Sequence, residues 1–341
     1  MEIQKNISLK RYNTFGIDAA AEYFAAVHTV DELMEAIDHN KKRVTADGKL
    51  FILGGGSNIL LTKDVEGLVI KNEINGIKKI SEDADAVFIK AGAGVNWHEF
   101  VLFCLDNNYG GVENLALIPG SVGASPMQNI GAYGAEIKDV FHSLDALNVH
   151  EGDMVTFNKE DCAFGYRESV FKNKYRGIFA IASVTYRLSK FPVLNTSYGA
   201  IEEELKKLNV ETPTIRAIAG AVMNIRRSKL PDPAVTGNAG SFFKNPEISL
   251  KQFKLLQPQH PGIIGYELPS GSVKLAAGWL IEQCGWKGYR VGDAGCHAKQ
   301  ALVLVNYGNA TGKEIYALSD AIINSVEEKF GIQLQREVNI V

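Results

Sequence analysis

Three consecutive glycines, Gly54-Gly55-Gly56, follow the apolar run Leu50–Leu53, and neither a helix nor a strand carries through such a run. With Ser57 and Asn58 they form a loop that must close one element and redirect the chain. The same punctuation recurs. Ala86–Lys90 runs into Gly92-Ala-Gly94, and the helix-spaced segment Trp97–Asn107 is broken by Gly110-Gly111. Glycine makes up 33 of 341 residues, above the usual share of roughly 7%. These breaks cut the first third into short alternating elements. Tyr23–Val27, Leu50–Leu53, Leu68–Lys71 and Ala86–Lys90 read as strands, and Thr29-Val-Asp-Glu32 is a capping box opening a helix to about Lys42.

From Ile118 to Gly134 no period of either kind is visible, and a structureless stretch this long inside a compact domain is usually functional. Strands follow around Ser143–Val149 and Ile178–Leu188. Composition then shifts at Lys190–Tyr198, a boundary or a lid. After Ile201–Leu208 comes a long helix from about Thr214 to Arg227, with Ile215, Ile218, Ala219, Val222 and Ile225 at helical spacing. The end of the chain reads as helix (Val273–Cys284, stopped by Gly285), strand (Ala301–Asn306), helix (Thr311–Phe330, stopped by Gly331) and strand (Gln333–Val341). A chain of 341 residues exceeds one core, so two or three domains are expected.

Composition narrows the partners. A net charge of −3 leaves no concentrated basic face for nucleic acid or an anionic membrane. No apolar leader opens the chain, and no run approaches the ~18 apolar residues of a membrane span. Cys104, Cys162, Cys284 and Cys296 show no CxxC spacing and read as free thiols of a reducing compartment, so a cytoplasmic protein is expected. The seven histidines show no metal-ligand spacing, and no metal is expected.

The Gly-rich loops after strands raise nucleotide binding. A dinucleotide fingerprint needs G-x-G-x-x-G, and both Gly54-Gly-Gly56-Ser-Asn-Ile59 and Gly92-Ala-Gly94-Val-Asn-Trp97 lack the last glycine. No P-loop pattern exists. Three glycines before Ser57 and Asn58 still make a nest of N–H groups suited to a pyrophosphate, with a tight strand-to-strand turn as the plainer reading. The Pro119–Gly134 loop offers a second wall for the same ligand.

A different chemistry is crowded into Gly237-Asn-Ala-Gly-Ser-Phe-Phe-Lys-Asn-Pro246, where Ser241, Lys244 and Asn245 flank paired aromatics. A turn needs the glycines, not a hydroxyl, an ammonium and an amide together. Just upstream, Lys229-Leu-Pro-Asp-Pro233 sets a lysine at a helix end before a stiff bend. Together they read as a polar pocket holding a proton donor.

These segments carry a resemblance. Asn13-Thr-Phe-Gly16, Gly54–Asn58, Ile118–Pro126, Gln128–Gly134, Tyr166-Arg-Glu-Ser-Val-Phe-Lys172, Lys229–Pro233, Gly237–Pro246 and the tail around Glu337 resemble the UDP-N-acetylenolpyruvoylglucosamine reductase family, in order along nearly the whole chain. The resemblance implies an α+β fold: a two-part FAD-binding domain of the vanillyl-alcohol-oxidase (PCMH) type, residues 1–74 and 75–192, followed by a smaller α/β substrate domain, 193–341. It implies reduction of the enolpyruvyl ether of UDP-N-acetylglucosamine to UDP-N-acetylmuramate for peptidoglycan synthesis, with FAD and NADPH. A monomer is expected, with a UDP-sugar as its small-molecule partner. No histidine or cysteine lies in Phe51–Asn72, where some relatives of the fold attach flavin, so FAD is expected to be non-covalent.

By the same resemblance FAD contacts fall on Gly54, Gly55, Gly56, Ser57, Asn58, Gly120, Ser121, Gly123, Ala124, Ser125, Gln128, Asn129, Gly131, Tyr133, Gly134 and Arg167. Hydride delivery to the enolpyruvyl methylene throws charge onto the carboxylate, which needs fixed cations and donors. Arg167 suits a carboxylate bidentately, although a surface ion pair with Glu168 is the plain reading. Glu337 shares a strand face with Gln333, Gln335 and Asn339 and reads as solvated; the family motif assigns it to the substrate carboxylate. Two carboxyls in contact must hold a proton between them.

Ser241 matches the family's proton donor to the adjacent carbon. A hydroxyl is a weak acid, so Lys229 and Lys244 are the cations available to it, unless Lys229 only complements a helix terminus. Tyr166, Asn245 and Gln300 match substrate positions, Gln300 with a loop-end role as alternative. Tyr198 resembles a loop tyrosine closing over the nucleotide in one subclass, and Arg226 is a diphosphate ligand or a helix-terminal arginine. The rivals are another FAD-linked dehydrogenase or oxidase on this fold, and a non-catalytic binding protein.

Overall fold

The computed structural model describes residues 1–41 and 49–341. They divide into two compact units. The first holds Met1–Ile7, Ala21–Gly56 and Val65–Ser228, the second Ser8–Ala20, Ser57–Asp64 and Lys229–Val341.

The first unit contains two sheets. In one, Ala20–Val27, Val65–Asn72 and Leu50–Leu53 run parallel, with Gln4–Ser8 beside Ala20–Val27 at the edge. Parallel strands are buried and therefore apolar throughout, and Leu68, Val69 and Ile70 are inaccessible. The Val30–His39 helix covers one face with Leu33, Ala36 and Ile37, its start capped by the Thr29 side chain on the Glu32 amide. The end expected at Lys42 lies outside the described residues. Because Leu53 sits opposite Lys71 in the ladder, the glycine run leaves the sheet at the carboxyl ends of its strands, where open sheets of this kind bind ligands.

The second sheet is antiparallel, in the order Met154–Asn158, Phe141–Asn148, Phe179–Ser189, Ala86–Gly92, Ile77–Glu82. Its core joins Trp97, Phe100 and Tyr186 to Ile201, Leu205, Ile218, Val222 and Ile225 of the Gly199–Lys207 and Ile215–Lys229 helices. Those helices thus pack in the first unit, and the compact division falls at Ser228/Lys229 rather than at the composition shift near residue 193.

The second unit is built on the four-stranded order Gly237–Ser241, Val303–Asn306, Ala294–Cys296, Arg290–Val291, with a three-stranded sheet beside it in sequence. The Gly312–Phe330 helix matches the sequence reading closely, with a capping box at Thr311/Glu314 and Gly331 left-handed at φ 63°. Val273–Cys284 differs. Ser272–Leu275 is a strand between Glu247–Ser249 and Gly265–Glu267, and the helix is only Ala277–Gln283. The three apolar-polar alternations of that strand fit either period, and pairing on both sides decides. The tail keeps its alternation, with Ile332, Leu334 and Val338 buried, and its ladder is short, Asn339–Ile340 against Ile59–Leu60, with an isolated bridge at Arg336.

Candidate active site

In the second unit the Gly237–Pro246 segment is shaped before it is functional. A side chain at Gly237 would put Cβ 2.2 Å from the Phe15 carbonyl oxygen, so only glycine fits there. Asn238 donates its amide to Pro231 and Thr236 carbonyls and accepts from the Gly240 amide, fixing the double-proline bend to the strand. The Asn13–Gly16 motif serves the same purpose: the Thr14 carbonyl accepts from the Asn238 amide and the Phe15 carbonyl from the Asn306 side chain. Between Asn238 and Ser241 the ladder with Val303–Asn306 slips, and Gly240 takes φ 71°. A bulge of this kind re-aims the residue that follows it, and that residue is Ser241.

The next residue ties three segments together. Phe242, fully buried, donates its amide to the Leu302 carbonyl at 2.7 Å and accepts from the Glu337 amide at 2.8 Å. The Lys244 amide bonds the Gln335 carbonyl, so Phe242–Lys244 runs antiparallel to Gln335–Glu337 through the Phe243/Arg336 bridge. Ser241 and Glu337 are thereby held one residue apart across a pair of backbone segments. Asn58 steadies the same place. Its side chain donates to the Glu337 carbonyl at 3.3 Å, and its own carbonyl accepts from Asn339. The resemblance assigns Asn58 to the cofactor, and its side-chain nitrogen also ties it to the tail. Asn245 accepts from the Ala277 amide at the start of the Ala277–Gln283 helix, and Gln300 Oε1 lies where a Cβ on Gly278 would come within 3.1 Å.

In the first unit Arg167 occupies the tip of a tight turn closed by Gly165 and Glu168, with φ 56°, a conformation costly for a side-chain-bearing residue. Its guanidinium donates to the Gly131 carbonyl at 2.7 Å and lies 5.5 Å from the Tyr166 ring centre. Asn129, wholly buried, donates to Glu136 and the Gly165 carbonyl and accepts from the Lys138 amide, which joins the Gln128–Gly134 loop to that turn. Its side chain is a strut. The amides of Gly123, Ala124 and Ser125 likewise bond Ala93, Ser121 and Val122 carbonyls, and Ser125 Oγ bonds Tyr186. That stretch gives the wall its shape more than its donors.

Arg226 donates Nε to the Leu117 carbonyl and meets the Tyr133 hydroxyl, with no ion pair to any carboxylate among the described residues. Burial pushes its guanidinium below the ordinary range, against the pull of Tyr133. Tyr133 packs edge-on to the half-exposed Tyr198 at 5.3 Å. Two supporting residues escaped the sequence reading: His98 accepts from the Leu117 amide, and Asn114 holds both Tyr133 and Asn195 carbonyls.

The glycine run fits against the other loop backbone to backbone. A Cβ on Gly55 would lie 2.7 Å from Gly120 Cα, and one on Gly54 2.6 Å from Ser121 Oγ, a buried hydroxyl without a hydrogen-bond partner among the described residues.

Residues 21–158 match the family model of an FAD binding domain, and residues 232–341 that of the UDP-N-acetylenolpyruvoylglucosamine reductase C-terminal domain. The chain is 53% identical to the Flavobacterium johnsoniae UDP-N-acetylenolpyruvoylglucosamine reductase over 100% of both chains. The chain belongs to the UDP-N-acetylenolpyruvoylglucosamine reductase family. The Amoebophilus asiaticus and Pseudomonas savastanoi pv. phaseolicola enzymes of that name are 50% and 49% identical, each across 100% of this chain. The fold also matches the crystal structure of UDP-N-acetylenolpyruvylglucosamine reductase from Thermus caldophilus, with a TM-score of 0.67 at 24% identity over 100% of this chain and 99% of that one. The α+β expectation, an FAD-binding domain followed by a smaller C-terminal one, therefore holds. The residues suit the cofactor this family model names. Two glycine-bearing loops in backbone contact, with the buried Ser121 hydroxyl unpartnered among the described residues where they meet, suit a diphosphate-bearing group held by backbone rather than by large side chains. Among the described residues no helix is long and apolar enough to cross a membrane.

Proposed function

We propose that this protein reduces the enolpyruvyl ether of UDP-N-acetylglucosamine to UDP-N-acetylmuramate, a step of peptidoglycan precursor synthesis. When bound, FAD reduced by NADPH supplies a hydride. The chain's own residues do the rest. Gly54–Ser57 and the Gly120–Gly134 loop hold the cofactor non-covalently, with residues 1–74 and 75–192 as its two subdomains. Arg167, fixed by Gly131, binds the substrate carboxylate and stabilises the charge that develops on it. Glu337 shares a proton with the same carboxylate. Ser241 Oγ gives its proton to the carbon bearing the ether oxygen, with Lys229 and Lys244 stabilising the alkoxide. Tyr166, Asn245 and Gln300 orient the substrate, Arg226 takes its diphosphate, and Tyr198 covers the nucleotide.

The observation that carries this reading is the Phe242 backbone, whose bond to the Glu337 amide pairs the segment that bears Ser241 with the segment that bears Glu337. Paired segments that bear an acid and a carboxyl group suit protonation next to a carboxylate. We place the reaction in the cytoplasm, carried out by a monomer. Anaerobic spectra test it: NADPH should bleach the flavin, and the UDP-enolpyruvyl sugar should restore its colour. Bleaching without restoration by that sugar would leave another FAD-linked dehydrogenase as the better reading.

A further inference from the structure

Lys71 lies outside every motif named above, and its surroundings are unusual for a lysine. It closes the apolar part of the Val65–Asn72 strand, opposite Leu53, the residue that runs into the glycines. Its Nζ donates to the Gly54 carbonyl at 2.9 Å, the one hydrogen bond it makes among the described residues. No carboxylate pairs with it there. Glu73, the acid whose charge favours its protonated form, is itself in contact with His28. Burial therefore pushes the ammonium below the ordinary lysine range, with Glu73 opposing.

Ser121 supplies an independent observation at the same place. Its hydroxyl sits against the Gly54 backbone, buried and without a hydrogen-bond partner among the described residues. One half-buried cation and one stranded hydroxyl thus converge on a single glycine. An ammonium has three protons to donate and here uses one. Without a counter-charge its desolvation is unfavourable, and an anion in the cradle offsets that cost. Backbone amides supply only dipoles, so a diphosphate held by Gly54–Gly56 still lacks a full positive charge nearby.

We infer that Lys71 is a further cofactor-binding residue, its ammonium meeting the diphosphate of FAD at the Gly54–Gly56 loop. The inference rests on the FAD reading of the first unit. FAD dissociation from the purified holoenzyme, read as flavin fluorescence gained on dilution across a salt series, tests it. Lys71→Gln keeps a donor for the Gly54 carbonyl and removes the charge; it should raise the dissociation constant by about tenfold or more and flatten its salt dependence. Lys71→Arg keeps the charge and should restore both. An unchanged dissociation constant in Lys71→Gln overturns the assignment. So does a weakened one with the wild-type salt dependence, which would make Lys71 only a prop for the loop. A wild-type protein purified without FAD and unable to take it up would overturn the cofactor reading along with it.

Discussion

Gly55→Ala probes the cradle at its tightest point. The added methyl would sit 2.7 Å from Gly120 Cα, 3.0 Å from Gly120 C and 3.3 Å from Ser121 N. All three are backbone atoms, so no rotamer change relieves the overlap. Carbon atoms pack at about 3.5–4.0 Å, so the two loops must separate by roughly 0.8 Å or more. Overpacking of this kind costs about 1–3 kcal/mol. Chemical unfolding of the holoenzyme reads the whole loss, and FAD dissociation reads the part that falls on the cradle. If all of it fell there, the dissociation constant would rise about 5- to 150-fold. Gly220→Ala is the control: it lies inside the Ile215–Lys229 helix with nothing within 4 Å of its Cβ, and should gain ~0.5–1 kcal/mol with flavin affinity unchanged. A Gly55→Ala holoenzyme within ~0.5 kcal/mol of wild type, the range of an inert surface change, would refute the loop-against-loop packing.

Two further changes have defined outcomes. Asp145 accepts from Lys90, Thr156 and Ser183 across the antiparallel sheet; burial works against its charged form, yet these three donors hold its carboxyl below the ordinary range. A depressed folded-state carboxyl stabilises above the ordinary carboxylate range and loses that contribution as pH falls, so Asp145→Asn should cost about 1–2 kcal/mol near pH 7 in urea unfolding, with the difference shrinking under acid. Arg226→Met removes the cation left without a carboxylate and should raise KM for the UDP-sugar roughly tenfold or more, while stopped-flow reduction by NADPH stays at the wild-type rate.

What could be read from residues alone divides by physical cause. The Gly312–Phe330 helix was legible because its capping box, period and terminal glycine all agree. Ser272–Leu275 was not, since a four-residue apolar alternation becomes a strand only when neighbours pair with it on both sides. The tail was half legible. Burial alternates as its pattern requires, but the ladder depends on which backbone lies alongside. Site residues followed the same division. Motifs named Ser241 and Glu337, while the Phe242 bonds that hold them together leave no mark in the sequence. Asn58 and Asn129 belong to motifs read as ligand contacts, and their amides brace the Glu337 carbonyl and the Arg167 turn. Lys71 had a visible signal, a charge closing the apolar run Leu68–Ile70, but nothing local says which way such a side chain turns or which loop it meets.

In the proposed reaction Ser241 is the acid that completes the reduction. Single-turnover spectra of Ser241→Ala, reduced anaerobically with NADPH and then mixed with the UDP-enolpyruvyl sugar, test it most directly. Bleaching should proceed at close to the wild-type rate, and recovery of flavin colour should slow by about 10²- to 10⁴-fold. Recovery at the wild-type rate would contradict that role.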